Sequence, residues 1–289
     1  MSRTTPKEWK PVVAAASAQV LPLVPKIDQN YPAGWCVYNS TIVDSPEVEI
    51  ICGGINHKIT EAAAVWRQGN LLHFGFEQAP DAMNETGKAL LLNAIAYIAR
   101  FTEDRPIPDT LSPFAGRSPL TRMSVDYRLH RQDRWPAMWR GYFAPAALAK
   151  AGLSDADACG RWYKTVRGFL CADDTGKLVI DEDALAMGAA LDGADFMPKV
   201  IAGLRAGGEP SARARRLIER HVAEGPGKGA SAGAWESWWS SNQPYLFFCD
   251  SGGYRWYIDP LAKKRGVQTS SLRGLARATP SQARAAAAP

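Results

Sequence analysis

The stretch NLLHFGFEQAP, Asn70 to Pro80, carries His73 and Glu77 where a hydrophobic run gives way to a turn. An imidazole and a carboxylate at a strand end are the parts of a general acid–base pair. A hydrolase or sugar-processing enzyme could use Glu77 with His57 or His73. A second polar group, Asn56, His57, Lys58 and Glu61, follows directly on the apolar run VEIICGGI, Val48 to Ile55. Ligands of open α/β sheets gather at the carboxyl ends of strands, so Asn56, His57, Lys58 and Glu77 are candidate ligand-binding residues. The competing reading of each is a solvated surface loop. Among the ten tryptophans, Trp238, Trp239 and Trp256, with Tyr254, could stack on sugar rings, and Trp135 and Trp139 at i, i+4 could extend the platform. Core packing is the default role for such rings.

Other chemistries are disfavoured. The five cysteines, Cys36, Cys52, Cys159, Cys171 and Cys249, are odd in number and none pairs with another at metal-ligand spacing. The four histidines are scattered, so spacing gives no zinc motif and no metal or cofactor is expected. Cys52, Cys171 and Cys249 read as small buried hydrophobes. No phosphate loop or dinucleotide fingerprint is present. The net charge of +5 is spread over 34 basic and 29 acidic residues, too even for a nucleic-acid partner. No run of 18 apolar residues exists, so no membrane span is expected, and the N-terminal apolar patch between Pro11 and Pro22 is a poor signal peptide. The composition, 46% hydrophobic and 22% charged, is that of a soluble globular chain.

The elements that must position these groups fall into two regions. Residues 1–29 read as an extended lead-in. Residues 30–101 read as α/β: Val48–Ile55 as a buried strand, then two strands around a tight Gly69-Asn70 turn, then a helix capped by Asn84. Ala89, Leu92, Ile95 and Ala96 recur at helical spacing and are expected to pack on the sheet. Residues 102–122 hold four prolines and read as a linker. Residues 123–273 form a tryptophan-rich α+β region, and residues 274–289 a low-complexity tail. Within the second region, Arg161–Gly188 and Ser237–Gly266 share one pattern of helix, hairpin and helix. Both end a strand in Ile-Asp, Ile180-Asp181 and Ile258-Asp259, and both close on Asp-x-x-Ala-x-x-x-Gly. Asp181 and Asp259 could be paired catalytic carboxylates; their matching surroundings favour helix caps. Between the copies, Ala214, Leu217, Ile218 and His221 share a helix face, with His221 expected at its boundary. Trp256 is expected to face the core from a strand with one buried side.

The segments IICGGINHK, AVWRQGNLLHFGFE and GKALLLNAIAYIARF resemble the C-terminal part of class I glutamine amidotransferase-like domains, in their ThuA-like branch. The resemblance covers residues 48–101 and implies a partial amidotransferase-like sheet. In that family a histidine at the end of the strand activates a cysteine nucleophile. Here the turn reads Gly75-Phe76-Glu77, with phenylalanine in the histidine's place, and Cys52 lies inside an apolar run. The departure argues against amidotransferase chemistry. The whole chain also resembles uncharacterised bacterial proteins, many of them exported. The reading is therefore an α/β region followed by an α+β region with a duplicated helix-hairpin-helix unit, in a non-catalytic binding or scaffolding protein. An incomplete sheet predicts a protein partner or a homo-oligomer; the tryptophans make a carbohydrate the other candidate ligand.

Overall fold

The computed structural model describes residues 2–4, 16–19, 34, 36–38, 42, 45–54, 62–77, 79–108, 117, 135–151 and 156–269. Helices combine with small antiparallel sheets, a mixed α/β arrangement. The described residues fall into two compact units: one runs to Ile107 without Ser45, and the other takes Ser45 and everything from Pro108 on.

In the first unit, β1 (Ser2–Thr4) pairs with β2 (Ser17–Gln19). A separate antiparallel sheet is built around β5 (Ala62–Gln68), with β4 (Val48–Gly54) on one side. On the other side lie β3 (Val37–Tyr38) and β6 (Leu71–Phe74), end to end. β5 and β6 join through the two-residue turn Gly69-Asn70, as its sequence signature demands. Gly69 has φ +56°, and a Cβ there would sit 2.3 Å from the Asp104 carbonyl oxygen. Ala62, Ala63 and Val65 of β5 are buried.

β4 departs from expectation. Its apolar run predicted a buried strand, yet Ile50 and Ile51 are 45% and 39% exposed. β4 pairs only with β5 among the described residues, and a bulge between Ile50 and Cys52 breaks its register. A continuous apolar run reports strand propensity without reporting how many layers cover it.

The helix α1 (Glu85–Ile98) is capped by Asn84, whose side chain accepts from the Gly87 N–H at 2.9 Å. Its packing face is the reverse of the one read from spacing. Gly87 and Ala94 are buried, while Ala89, Leu92, Ile95 and Ala96 are exposed. Polar anchors set this rotation. Tyr97 donates its hydroxyl to Glu49 of β4 at 2.7 Å, and Glu49 pairs with Arg67 of β5 at 2.8 Å. The Arg67 guanidinium lies 3.7 Å from the centre of the Phe101 ring.

The second unit holds α2 (Trp135–Tyr142), α3 (Pro145–Ala151) and α4 (Ala156–Val166), then the hairpin β7 (Leu170–Ala172) and β8 (Leu178–Ile180). Next come α5 (Glu182–Ala186), α6 (Phe196–Ala206), α7 (Gly208–His221) and α8 (Ala232–Asn242). The hairpin β9 (Leu246–Cys249) and β10 (Arg255–Ile258) and the helix α9 (Pro260–Arg265) close the unit. One core runs through it, with Phe143, Leu170, Leu178, Phe196 and Leu217 among its fully buried side chains.

Two segments of this unit share element order and end-bonding. The Asp181 N–H donates to Phe169 O and the Asp259 N–H to Tyr245 O. The Asp181 side chain caps α5 by accepting from the Ala184 N–H; Asp259 caps α9 by accepting from Leu261 and Ala262. Both helices close alike, Ala189 N–H on Ala184 O and Val267 N–H on Ala262 O, beside glycines with φ +60° and +66°. β10 is packed on both faces: Trp256 stacks on Phe196, and Tyr257 is buried against Phe247. The alternation had suggested one buried side, because a four-residue strand cannot report its second layer.

Candidate functional site: a cysteine, an aspartate and a histidine

Three chain segments deliver chemically capable side chains to one place in the second unit. β7 carries Cys171. Asp181 ends β8 and caps α5, which fixes its carboxylate. α7 buries the face formed by Ala214, Leu217, Ile218 and His221, and this face carries His221 inward at the last turn. His221 is 2% exposed, inside the core rather than at the boundary expected for it. The helix is rotated that far because its opposite side is occupied by Arg213, Arg216 and Arg220, which need water or carboxylates. The cysteine sulfur, a carboxylate oxygen and an imidazole nitrogen lie within 4.8 Å of one another.

The hydrogen bonds define each group's role. His221 Nδ1 lies 2.7 Å from the Tyr254 carbonyl oxygen, which can only accept, so Nδ1 carries a proton. Nε2 points at Asp181 Oδ2, 2.9 Å away. Arg220 forks onto the same carboxylate, its Nε and one terminal nitrogen each 3.0 Å from an oxygen. The remaining reach of Arg220 goes to Asp183 at 2.8 Å, which Arg216 also holds. Burial works against ionisation of Asp181, but the bonds from His221 and the Ala184 N–H, with the charge of Arg220, hold its carboxyl below the ordinary value. Cys171 is shifted the other way: burial, helped by the charge of Asp181, pushes its thiol up to about 12. This shift favours the thiol at neutral pH, a far weaker nucleophile than the thiolate.

Around this cluster lies a second buried charge group. Arg117, with no exposed surface, donates to both oxygens of Asp250, at 3.0 and 2.7 Å, and sits 3.1 Å from Asp192. Desolvation opposes the Arg117 charge, and the Asp250 carboxylate outweighs it; Asp250 is itself held low by Arg117 against its own burial. Tyr254, whose carbonyl meets His221 and whose N–H donates to the Asp250 carbonyl, has φ +57°, the only positive φ at a non-glycine among the described residues. Its hydroxyl is buried without a hydrogen-bond partner. Burial, followed by the nearby Asp250 charge, raises its pKa.

The residues singled out from sequence lie elsewhere. β4 and β6 run the same way on either side of β5, so the chain leaves both at the end where β5 begins. Asn56, His57 and Lys58, which follow β4, lie outside the described residues. His73 is half-buried within β6, opposite Trp66 with ring centres 5.9 Å apart. Glu77 lies beyond the strand and is exposed. Trp238 and Trp239 are half-buried against the core of the second unit. Trp256 donates its indole N–H to Leu191 O at 2.8 Å.

The sequence treated Cys171, Asp181 and His221 one at a time, as a hydrophobe, a cap and a boundary histidine. The available signal was the histidine at position i+7 of an otherwise apolar helix face, ending next to a strand that terminates in aspartate. Spacing rules read only ligands that are close in the chain. No family model, curated protein or solved structure matches the chain. No helix among the described residues is long and apolar enough to cross a membrane.

Proposed function

We propose that the protein is a non-catalytic binding or scaffolding protein that pairs with a second copy of itself through the outer face of α1. The observation that carries this is the exposure of Leu92 and Ile95, 66% and 56%, on a helix face shared with Ala89, Ala96 and Ala99. Large apolar side chains grouped in water mark contact surfaces. The surrounding alanines let two helices approach closely. An isologous, antiparallel crossing at Leu92 would set Glu85 of one copy beside Arg100 of the other, opposite charges on both flanks.

The amidotransferase-like resemblance enters this reading as a shell without its chemistry. In support, Cys52 lies half-buried in mid-strand with its thiol raised by burial, and His73 packs beside Trp66. The two helix-hairpin-helix segments, with their matching caps and closing bonds, are read as an internal duplication. Trp238, Trp239 and Trp256 serve packing in this account, and the carbohydrate reading predicts that oligosaccharides quench their fluorescence.

The test is Leu92→Glu. The variant should stay folded and lose self-association in sedimentation equilibrium. In parallel, Glu77→Ala should leave any hydrolysis by the protein unchanged; a loss would favour the enzyme built on Glu77 with His57 or His73.

A further inference from the structure

We propose that Cys171, Asp181 and His221 form a binding site for a divalent cation of zinc's chemistry. The donor set is a sulfur, an oxygen and a nitrogen, the combination that selects zinc or cobalt over magnesium or calcium. Each donor is already oriented as a ligand. His221 gives its Nδ1 proton to a backbone carbonyl, which leaves Nε2 directed at the cluster; metal-bound histidines are held in this way. Asp181 has Oδ1 tied down by the Ala184 N–H and by a terminal nitrogen of Arg220, while its Oδ2 faces the histidine and also accepts from Arg220 Nε at 3.0 Å. A tetrahedral ion with bonds of 2.0–2.3 Å spaces its ligand atoms roughly 3.3–3.8 Å apart. The three atoms, within 4.8 Å, need shifts of about 1 Å to meet that spacing. Binding breaks the Nε2···Oδ2 hydrogen bond, and its proton and the thiol proton both leave to solvent. The thiolate and carboxylate then balance the ion, and Asp183 balances Arg220.

Two further observations separate a ligand site from a packing detail. The second helix-hairpin-helix segment is an internal control. There the strand register that places Cys171 opposite Val179 places Phe247 opposite Tyr257. The free oxygen of its cap aspartate, Asp259, takes the Thr269 hydroxyl at 3.3 Å. The cap and hairpin therefore form without a thiol or an imidazole, and the first segment carries both for another reason. Second, Tyr254, a 1% exposed residue whose hydroxyl has no partner, supplies the carbonyl that holds His221 Nδ1. Three protein ligands leave a fourth position for a water.

The full chain, stripped with a chelator, is titrated with cobalt(II) and separately with zinc. The expected result is a thiolate-to-cobalt charge-transfer band that saturates at one ion per chain, and a higher unfolding midpoint with zinc. Cys171→Ser should abolish the band while its circular dichroism stays that of the parent. His221→Gln should weaken zinc binding at least about tenfold. The other four cysteines remain in Cys171→Ser, so the assignment does not depend on His221→Gln folding. Absence of both band and midpoint shift at saturating metal would overturn the proposal, as would a band that survives Cys171→Ser.

Discussion

The second unit closes its charges upon themselves and, among the described residues, exposes the large apolar side chains of Leu185 and Val267 alone, whereas the smaller first unit leaves five such side chains in water. In the second unit Arg117 meets Asp250 and Asp192, Asp181 meets His221 and Arg220, and Arg216 meets Asp183. Its core takes rings from α2, α4 and the strands of the second hairpin, and Leu170 and Leu178 from the first. In the first unit the ion pair Glu49–Arg67 and the Tyr97 hydroxyl hold α1 to the sheet, and Leu71, Leu92, Ile95, Ile50 and Ile51 remain exposed. A unit that satisfies itself has stability to lose and little to offer a partner. A unit with unspent apolar surface has the reverse. On the proposed function, the difference puts folding strength in one region and recognition in the other.

The sharpest way to break this comparison is Arg117→Ala. It strands Asp250 as a buried charge and should cost about 3–5 kcal/mol, read as a lower urea midpoint for the second unit. An effect below about 1 kcal/mol would mean the buried pair is solvated and the contrast is false. Next come the two caps. Asp181→Ala removes a cap, leaves the buried His221 without its carboxylate and leaves Arg220 with Asp183 alone, so it should cost about 3 kcal/mol or more. Asp259→Ala removes a cap and one hydroxyl bond and should cost about 1–2 kcal/mol. Equal losses would show that the cluster adds nothing to the cap.

Acid should also act on the second unit. The carboxyls of Asp181, Asp183 and Asp250 are held below their ordinary value in the fold. Groups with depressed folded pKa values contribute stability that is present above the unfolded value and lost as pH falls through the folded one. The midpoint for the second unit should therefore hold down to about pH 4, the ordinary carboxyl value, and fall below it. Denaturation curves at pH 6 and pH 3 check this. The smallest expected effect on stability is that of Leu92→Glu, within about 0.5 kcal/mol because the side chain is already in water.

Local chemistry was legible in the sequence. Gly69-Asn70 specified its hairpin, Asn84 its helix start, and Asp181 and Asp259 their caps, because each acts on backbone groups within four residues. Facing was not legible. Leu92 and Ile95 looked like the inner stripe of α1, but the Glu49–Tyr97 bond, 48 residues apart in the chain, sets the rotation. The candidate site was illegible for the same reason. Cys171 and His221 are 50 positions apart, and only the packing of α7 against α5, α6 and β10 brings them together. Asn56, His57 and Lys58 stood out because they are adjacent in sequence, which is the one kind of proximity a sequence displays.

The account turns on whether the exposed face of α1 is an interface. Sedimentation equilibrium of the full chain and of Leu92→Glu, across a concentration series, tests it directly. The expected result is the mass of two chains for the parent and of one chain for the variant, both folded. A parent that stays at the mass of one chain throughout, or a variant that still pairs, would contradict it.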